Sequence, residues 1–139
     1  MDHLEPKCIA AFRQRFPMAK ENASMAAHTA FRIGGPARLF LTVTSADDLV
    51  RSADAAQEMS LPFFVMGGGT NLLVSDEGFQ GVVIKTSMKA VTIDGERITA
   101  DAGAVTALAA KQSVDAGLEG FAWAAGLPGA IGGAVFGNA

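Results

Sequence analysis

Hydrophobic positions along this chain keep a helical rhythm in some stretches and a strand rhythm in others, with glycine-rich gaps between them. Residues 4 to 16 place Leu4, Ile9, Phe12 and Phe16 near one face of a helix that Pro17 stops. A polar connector, Lys20 to His28, leads to Gly34-Gly35-Pro36, which reads as a turn into a strand at Arg38 to Val43. Ser45 is a good N-cap, and Asp47 and Asp48 fall in the first turn, where the helix dipole favours anions. That helix sets Leu49, Val50, Ala53 and Ala56 on one face and ends near Ser60. Pro62 to Met66 is a short apolar strand running straight into a glycine loop, and Val82-Val83-Ile84 is a second, β-branched strand. Residues 38 to 86 therefore read β-α-β-loop-β.

A second unit follows. Val91-Thr92-Ile93 and Arg97-Ile98-Thr99 flank Asp94-Gly95, which predicts a hairpin closed by a type I′ turn. Ala104 to Ala116 is helical, with Leu108 and Val114 expected inward and Gly117 as the C′ glycine. The chain then passes through an uncharged glycine segment to Gly137-Asn138-Ala139, an ending expected of a cut chain. The fold class is α+β.

At 139 residues the chain is one-domain sized and long enough to bury a core. Half its residues are hydrophobic and 18% are charged, which is globular composition. A net charge of −3 argues against a nucleic-acid partner, whose phosphates call for clustered Lys and Arg. Cys8 is the single cysteine, so no intrachain disulfide forms, and the charged N-terminus lacks a signal-peptide core. Both features make the cytoplasm the expected location. Gly120 to Ala139 carries no charge and contains GxxxG pairs, as a membrane anchor would. It also holds six glycines, Pro128 and only six large apolar residues, so it would insert poorly, and no membrane association is expected.

The most informative local feature is Met66-Gly67-Gly68-Gly69-Thr70-Asn71-Leu72. Three consecutive glycines cost roughly 0.5–1 kcal/mol each relative to alanine, which implies unusual φ values or a close backbone approach. Exposed N–H groups in such a turn form an anion-binding nest suited to a pyrophosphate, and Thr70 and Asn71 add side-chain donors. A P-loop is excluded because no lysine lies between Glu58 and Lys85. A Rossmann fingerprint is excluded because its third glycine would fall on Leu72. Taken alone, the loop fits an unliganded turn equally well. A second cluster, Ala125-Gly126-Leu127-Pro128-Gly129-Ala130-Ile131-Gly132-Gly133-Ala134, points instead to two uncharged walls around one large ligand such as a flavin dinucleotide. With no Lys or Arg nearby in sequence, backbone dipoles would hold its phosphates.

Four ordered blocks carry a resemblance. They are His28-Thr29-Ala30-Phe31-Arg32-Ile33-Gly34-Gly35-Pro36-Ala37, Met66 to Val74, Gly78-Phe79-Gln80-Gly81-Val82-Val83-Ile84, and Gly117 to Phe136 with Asn138-Ala139. In order and spacing they resemble the UDP-N-acetylenolpyruvoylglucosamine reductase (UDP-N-acetylmuramate dehydrogenase) family over about residues 28 to 139. The resemblance implies a two-part, PCMH-type FAD-binding domain of the vanillyl-alcohol-oxidase kind, truncated here. It divides the chain into an N-terminal helix and connector (1–27), a first FAD-binding subdomain (28–88) and the start of a second (89–139).

It further implies FAD as cofactor, held by Met66, Gly67, Gly68, Gly69, Thr70, Asn71 and Leu72 on its pyrophosphate. Ala125, Gly126, Pro128, Gly129, Ile131, Gly132, Gly133 and Ala134 would pack along the cofactor from the other side. The implied reaction carries a hydride from NADPH through FAD to the enolpyruvyl ether of a UDP-sugar. The family's catalytic arginine, serine and glutamate lie beyond Ala139, so no residue here takes a catalytic role and the chain alone is expected to be inactive. Gly137 departs from the family, which carries a bulkier residue before Asn-Ala. A non-catalytic flavin-binding module and a small membrane-anchored protein are the other readings. Exposed apolar surface is expected to drive homo-oligomer formation.

Among single residues, His28 is expected to be a solvated loop histidine and Trp123 a core aromatic. Arg32 fits a carboxylate partner or a cofactor contact equally. Asp76 and Glu77 read as a solvated turn, Cys8 as inert, and no spacing suggests a metal.

Overall fold

Two parallel strand pairs and one antiparallel pair build the main sheet of the computed structural model, which describes residues 5–139. Its strands are β1 (Lys20–Ser24), β2 (Pro36–Val43), β3 (Phe63–Met66) and β4 (Phe79–Thr86), arranged β1-β2-β4-β3. β2, β3 and β4 run parallel, while β1 pairs antiparallel with β2, Lys20 opposite Phe40 and Ser24 opposite Pro36.

Helices α1 (Pro6–Arg15) and α2 (Ala46–Glu58) cover one face of this sheet. There Ile9, Phe12, Ala55, Ala56 and Leu61 meet Leu39, Leu41, Val43, Val82 and Ile84, alternate residues of the two central strands. Leu4, expected on the same helix face, lies outside the described residues. Phe12 is fully buried, and its loss would cost about 3–5 kcal/mol. Ser45 caps α2 as expected, its Oγ accepting from the Asp48 N–H at 3.1 Å. Val50 does not face inward but is 56% exposed. Ser52 is buried on the inner face, its hydroxyl satisfied by the Leu49 carbonyl at 3.0 Å.

The first part of the polar connector, Lys20–Ser24, is a strand, and Met25–His28 is a 3₁₀ turn. β1 has no apolar alternation because it is an edge, held by backbone pairing while its side chains meet solvent.

On the opposite face, Met25, Ala37, Phe40, Met66 and Val83 form a smaller cluster with Leu72 and Val74 packed against it. The cover here is the connection from β3 to β4, residues 67 to 78. Parallel neighbours are usually joined through a helix. This connection contains none and carries the glycine loop instead. Long irregular loops of that kind are commonly functional.

The second unit holds a hairpin, β5 (Val91–Asp94) and β6 (Arg97–Ala100), then α3 (Thr106–Asp115), a 3₁₀ turn (Ala122–Gly126) and α4 (Ile131–Phe136). Asp94 pairs with Arg97, so Gly95 and Glu96 are the central turn residues. Only Gly95 has positive φ (58°), the pattern of a type II′ turn rather than the expected I′. Gly117 (φ 75°) ends α3 in a Schellman motif, with Gly117 N–H donating to Val114 and Leu118 N–H to Ser113.

Leu108 and Val114 point outward, 56% and 52% exposed. α3 buries Ala109, Ala110 and Ser113, since its close approach to the 3₁₀ turn leaves room for small side chains only. Trp123 is 64% exposed and so is no core residue. It stands edge-on to Phe121, with Nε1 donating to the Gly120 carbonyl. Among the described residues no helix is long and apolar enough to cross a membrane.

Candidate functional site

The glycine loop leaves the carboxyl end of β3, the side of a parallel sheet where open α/β folds place their ligands. Met66 is buried there, and its carbonyl accepts a hydrogen bond from the buried Thr86 hydroxyl at 3.2 Å. Beyond it, among the described residues, no backbone N–H from Gly67 to Asn71 donates a hydrogen bond within the chain. Such a run of free donors in a glycine turn suits an anion.

The loop is anchored from outside the nest. Gly69 has φ 68°, and any side chain there would strike the His28 carbonyl. The Gly69 carbonyl accepts from Ala30 N–H at 2.9 Å. Leu72 tucks its side chain against the Met25–Phe40 cluster, while Asn71 remains exposed.

The second glycine segment meets the first along a seam. A Cβ on Gly67 would lie 2.9 Å from the Ala130 Cβ, and one on Gly129 (φ 102°) would lie 2.5 Å from Thr70 Oγ1. The segment is itself held by residues 102 to 106. Ile131 and Gly132 donate to the carbonyls of Ala104 and Ala102, both at 2.8 Å, and Thr106 gives its N–H and hydroxyl to Gly129. The first amides of α4 are therefore already in use. Gly132 also packs against Ala102, with a Cβ position 2.9 Å from that residue's Cβ.

Internal packing thus explains Gly67, Gly69, Gly129 and Gly132. It does not explain Gly68, Gly126 or Gly133, whose Cβ positions meet nothing closer than 3.7 Å and whose φ values are not positive. Ala125 and Pro128 are exposed and Ala134 is half-buried beside them.

Charge near the loop was hidden in the sequence. Parallel pairing sets Lys85 opposite Met66, although the two are far apart along the chain. His28 is half-buried and stacked on Phe40, ring centroids 4.1 Å apart, so it is not a freely solvated loop residue. Burial, then the positive charges of Lys85 and Lys20, hold its pKa below the usual 6.5. Arg32 (φ 55°) is exposed and has no carboxylate partner among the described residues. No cluster of three or more His, Cys, Asp or Glu side chains suited to a metal occurs among them.

A helix-backed parallel sheet with a free-amide glycine loop, joined by a seam to a second glycine segment, defines a dinucleotide-cofactor domain. The family described as FAD binding domain matches residues 37–139, and the chain belongs to it; its cofactor is FAD.

Similarity to individual proteins runs to UDP-N-acetylenolpyruvoylglucosamine reductases. That of Clostridium botulinum (strain Eklund 17B / Type B) is 42% identical over 121 residues, 86% of this chain and 40% of the relative. That of Rubrobacter xylanophilus is 41% identical over 126 residues, 89% of this chain and 42% of the relative. The crystal structure of the Thermus caldophilus reductase superposes with a TM-score of 0.66 at 35% identity, covering 83% of this chain and 40% of that one. The chain thus spans about 40% of the length of these relatives.

The residues present fit the cofactor: free amides suit its diphosphate, and glycines without internal cause leave room for a flat ligand.

Proposed function

We propose that this chain is the flavin-holding portion of an NADPH-dependent reductase that converts UDP-N-acetylglucosamine enolpyruvate to UDP-N-acetylmuramate in peptidoglycan synthesis. The free N–H run from Gly67 to Asn71 carries this reading. Those amides, with the Thr70 hydroxyl and Asn71 amide, hold the FAD diphosphate, and Met66 and Leu72 fix the loop's two ends. Ala125, Gly126, Pro128, Gly129, Ile131, Gly132, Gly133 and Ala134 form the wall along the cofactor, with Ile131 and Gly132 acting as its internal frame. Bound FAD supplies hydride-transfer chemistry between NADPH and the enolpyruvyl double bond.

Residues 28–88 form the first FAD-binding subdomain and 89–139 the start of the second, with 1–27 as an N-terminal helix and connector. The exposed Leu108, Val114, Trp123, Val135 and Phe136 support a surface that another protein part covers, which in the isolated chain favours a homo-oligomer. The setting is the cytoplasm, where the UDP-sugar substrate and NADPH are found.

The chain by itself holds the flavin but lacks reductase activity. Flavin-fluorescence titration should show FAD binding, and an NADPH oxidation assay with the enolpyruvyl UDP-sugar should show no turnover. Substrate-dependent NADPH consumption by this chain would overturn the division of labour, and no FAD binding would overturn the placement of the cofactor.

A further inference from the structure

We propose that Lys85 is a cationic binding residue for the diphosphate of FAD, an assignment that rests on the placement of FAD given above. Lys85 lies directly opposite Met66, the residue before Gly67, in the parallel pairing of β3 and β4. Residues paired across neighbouring strands project from the same face of a sheet. Met66 projects into the cluster with Phe40 and Val83, on the face that the glycine crossover covers, so Lys85 leaves the sheet on that face too.

Its ammonium has no carboxylate partner among the described residues. The stacked His28 registers that charge, since Lys85 and Lys20 both help to hold its pKa down. Lys85 and Lys20 thus both lie near His28, whose carbonyl abuts Gly69 of the loop. Backbone amides offer only partial charges, and the FAD diphosphate, a diester with one acidic oxygen on each phosphorus, is a dianion at neutral pH. A lysine beside the nest supplies the balancing charge as a charge-assisted donor.

The test is equilibrium titration of the full 139-residue chain with FAD and with riboflavin, which lacks phosphate, at low and high salt. Lys85→Met, which keeps the apolar stem, should weaken FAD binding roughly tenfold and flatten its salt dependence. Lys85→Arg should restore both, and riboflavin binding should not change in either variant. Wild-type FAD affinity and salt dependence in Lys85→Met would overturn the assignment while leaving FAD on the loop. Equal weakening of riboflavin would overturn it as well, by pointing to damaged structure. Failure of the wild-type chain to bind FAD would remove this assignment and its parent reading together.

Discussion

Gly67 rests on Ala130: a side chain at position 67 would bring its Cβ to 2.9 Å from the Ala130 Cβ, so the two glycine segments touch where only hydrogen fits. Gly67→Ala should therefore cost about 1–3 kcal/mol, measured by urea denaturation. Adding Ala130→Gly should return much of that loss, because it removes the opposing methyl. A double variant no more stable than Gly67→Ala would mean the strain at 67 lies elsewhere.

The loop glycines should separate into structural and ligand-facing sets. Gly132 packs on Ala102 and Gly69 on the His28 carbonyl, so alanine at either should lower the melting temperature. Gly133 sits inside α4 with nothing within 4 Å of its Cβ position. Gly133→Ala should raise stability by about 0.5–1 kcal/mol while weakening FAD binding. Stabilisation with unchanged FAD affinity would take Gly133 out of the site.

The central strands of the main sheet were readable in the sequence because they are buried on both faces and so stand out as short apolar runs, Leu39 to Leu41 and Val82 to Ile84. β1 was not, since Lys20 to Ser24 carries polar residues and exists as a strand only through pairing with Pro36 to Phe40. On α2, Leu49, Ala53 and Ala56 face the core as expected and only Val50 does not, whereas the face of α3 differs from expectation, for a related reason. Periodicity weighs large apolar residues, whereas these helices approach closely and bury Ser52, Ala109, Ala110 and Ser113. The glycine loop was visible as three residues in a row, but its pairing with Ala130 and its neighbour Lys85 come from tertiary contacts that no local spacing encodes.

Thr86 links the end of β4 to the start of the loop through its hydroxyl on the Met66 carbonyl. Thr86→Val keeps the shape and removes the hydroxyl's bond to that carbonyl, which stays within the β3–β4 ladder. A loss of about 1 kcal/mol in thermal unfolding is expected, with weaker FAD binding as the loop's entry loosens. Unchanged stability would show that the bond contributes nothing.

His28 gives a pH signature. Its pKa is lowered in the fold, by burial first and then by Lys85 and Lys20, so below 6.5 the unfolded chain takes up the proton more readily than the native one. Stability is therefore fully present above about 6.5 and declines as the pH falls through the lowered native value. His28→Phe keeps a ring against Phe40 but cannot titrate. Its melting temperature should fall less than that of the wild type between about pH 7 and 5. Parallel profiles would contradict the assignment of this slope to His28.

The placement of the cofactor is tested most directly by amide NMR of the 14.3 kDa chain during titration with FAD. Among the described residues the N–H groups of Gly67 to Asn71 donate to nothing, so they should show the largest downfield shifts as they meet the diphosphate, with riboflavin moving them far less. FAD shifts that leave 67 to 71 unmoved and fall elsewhere on the chain would contradict the account.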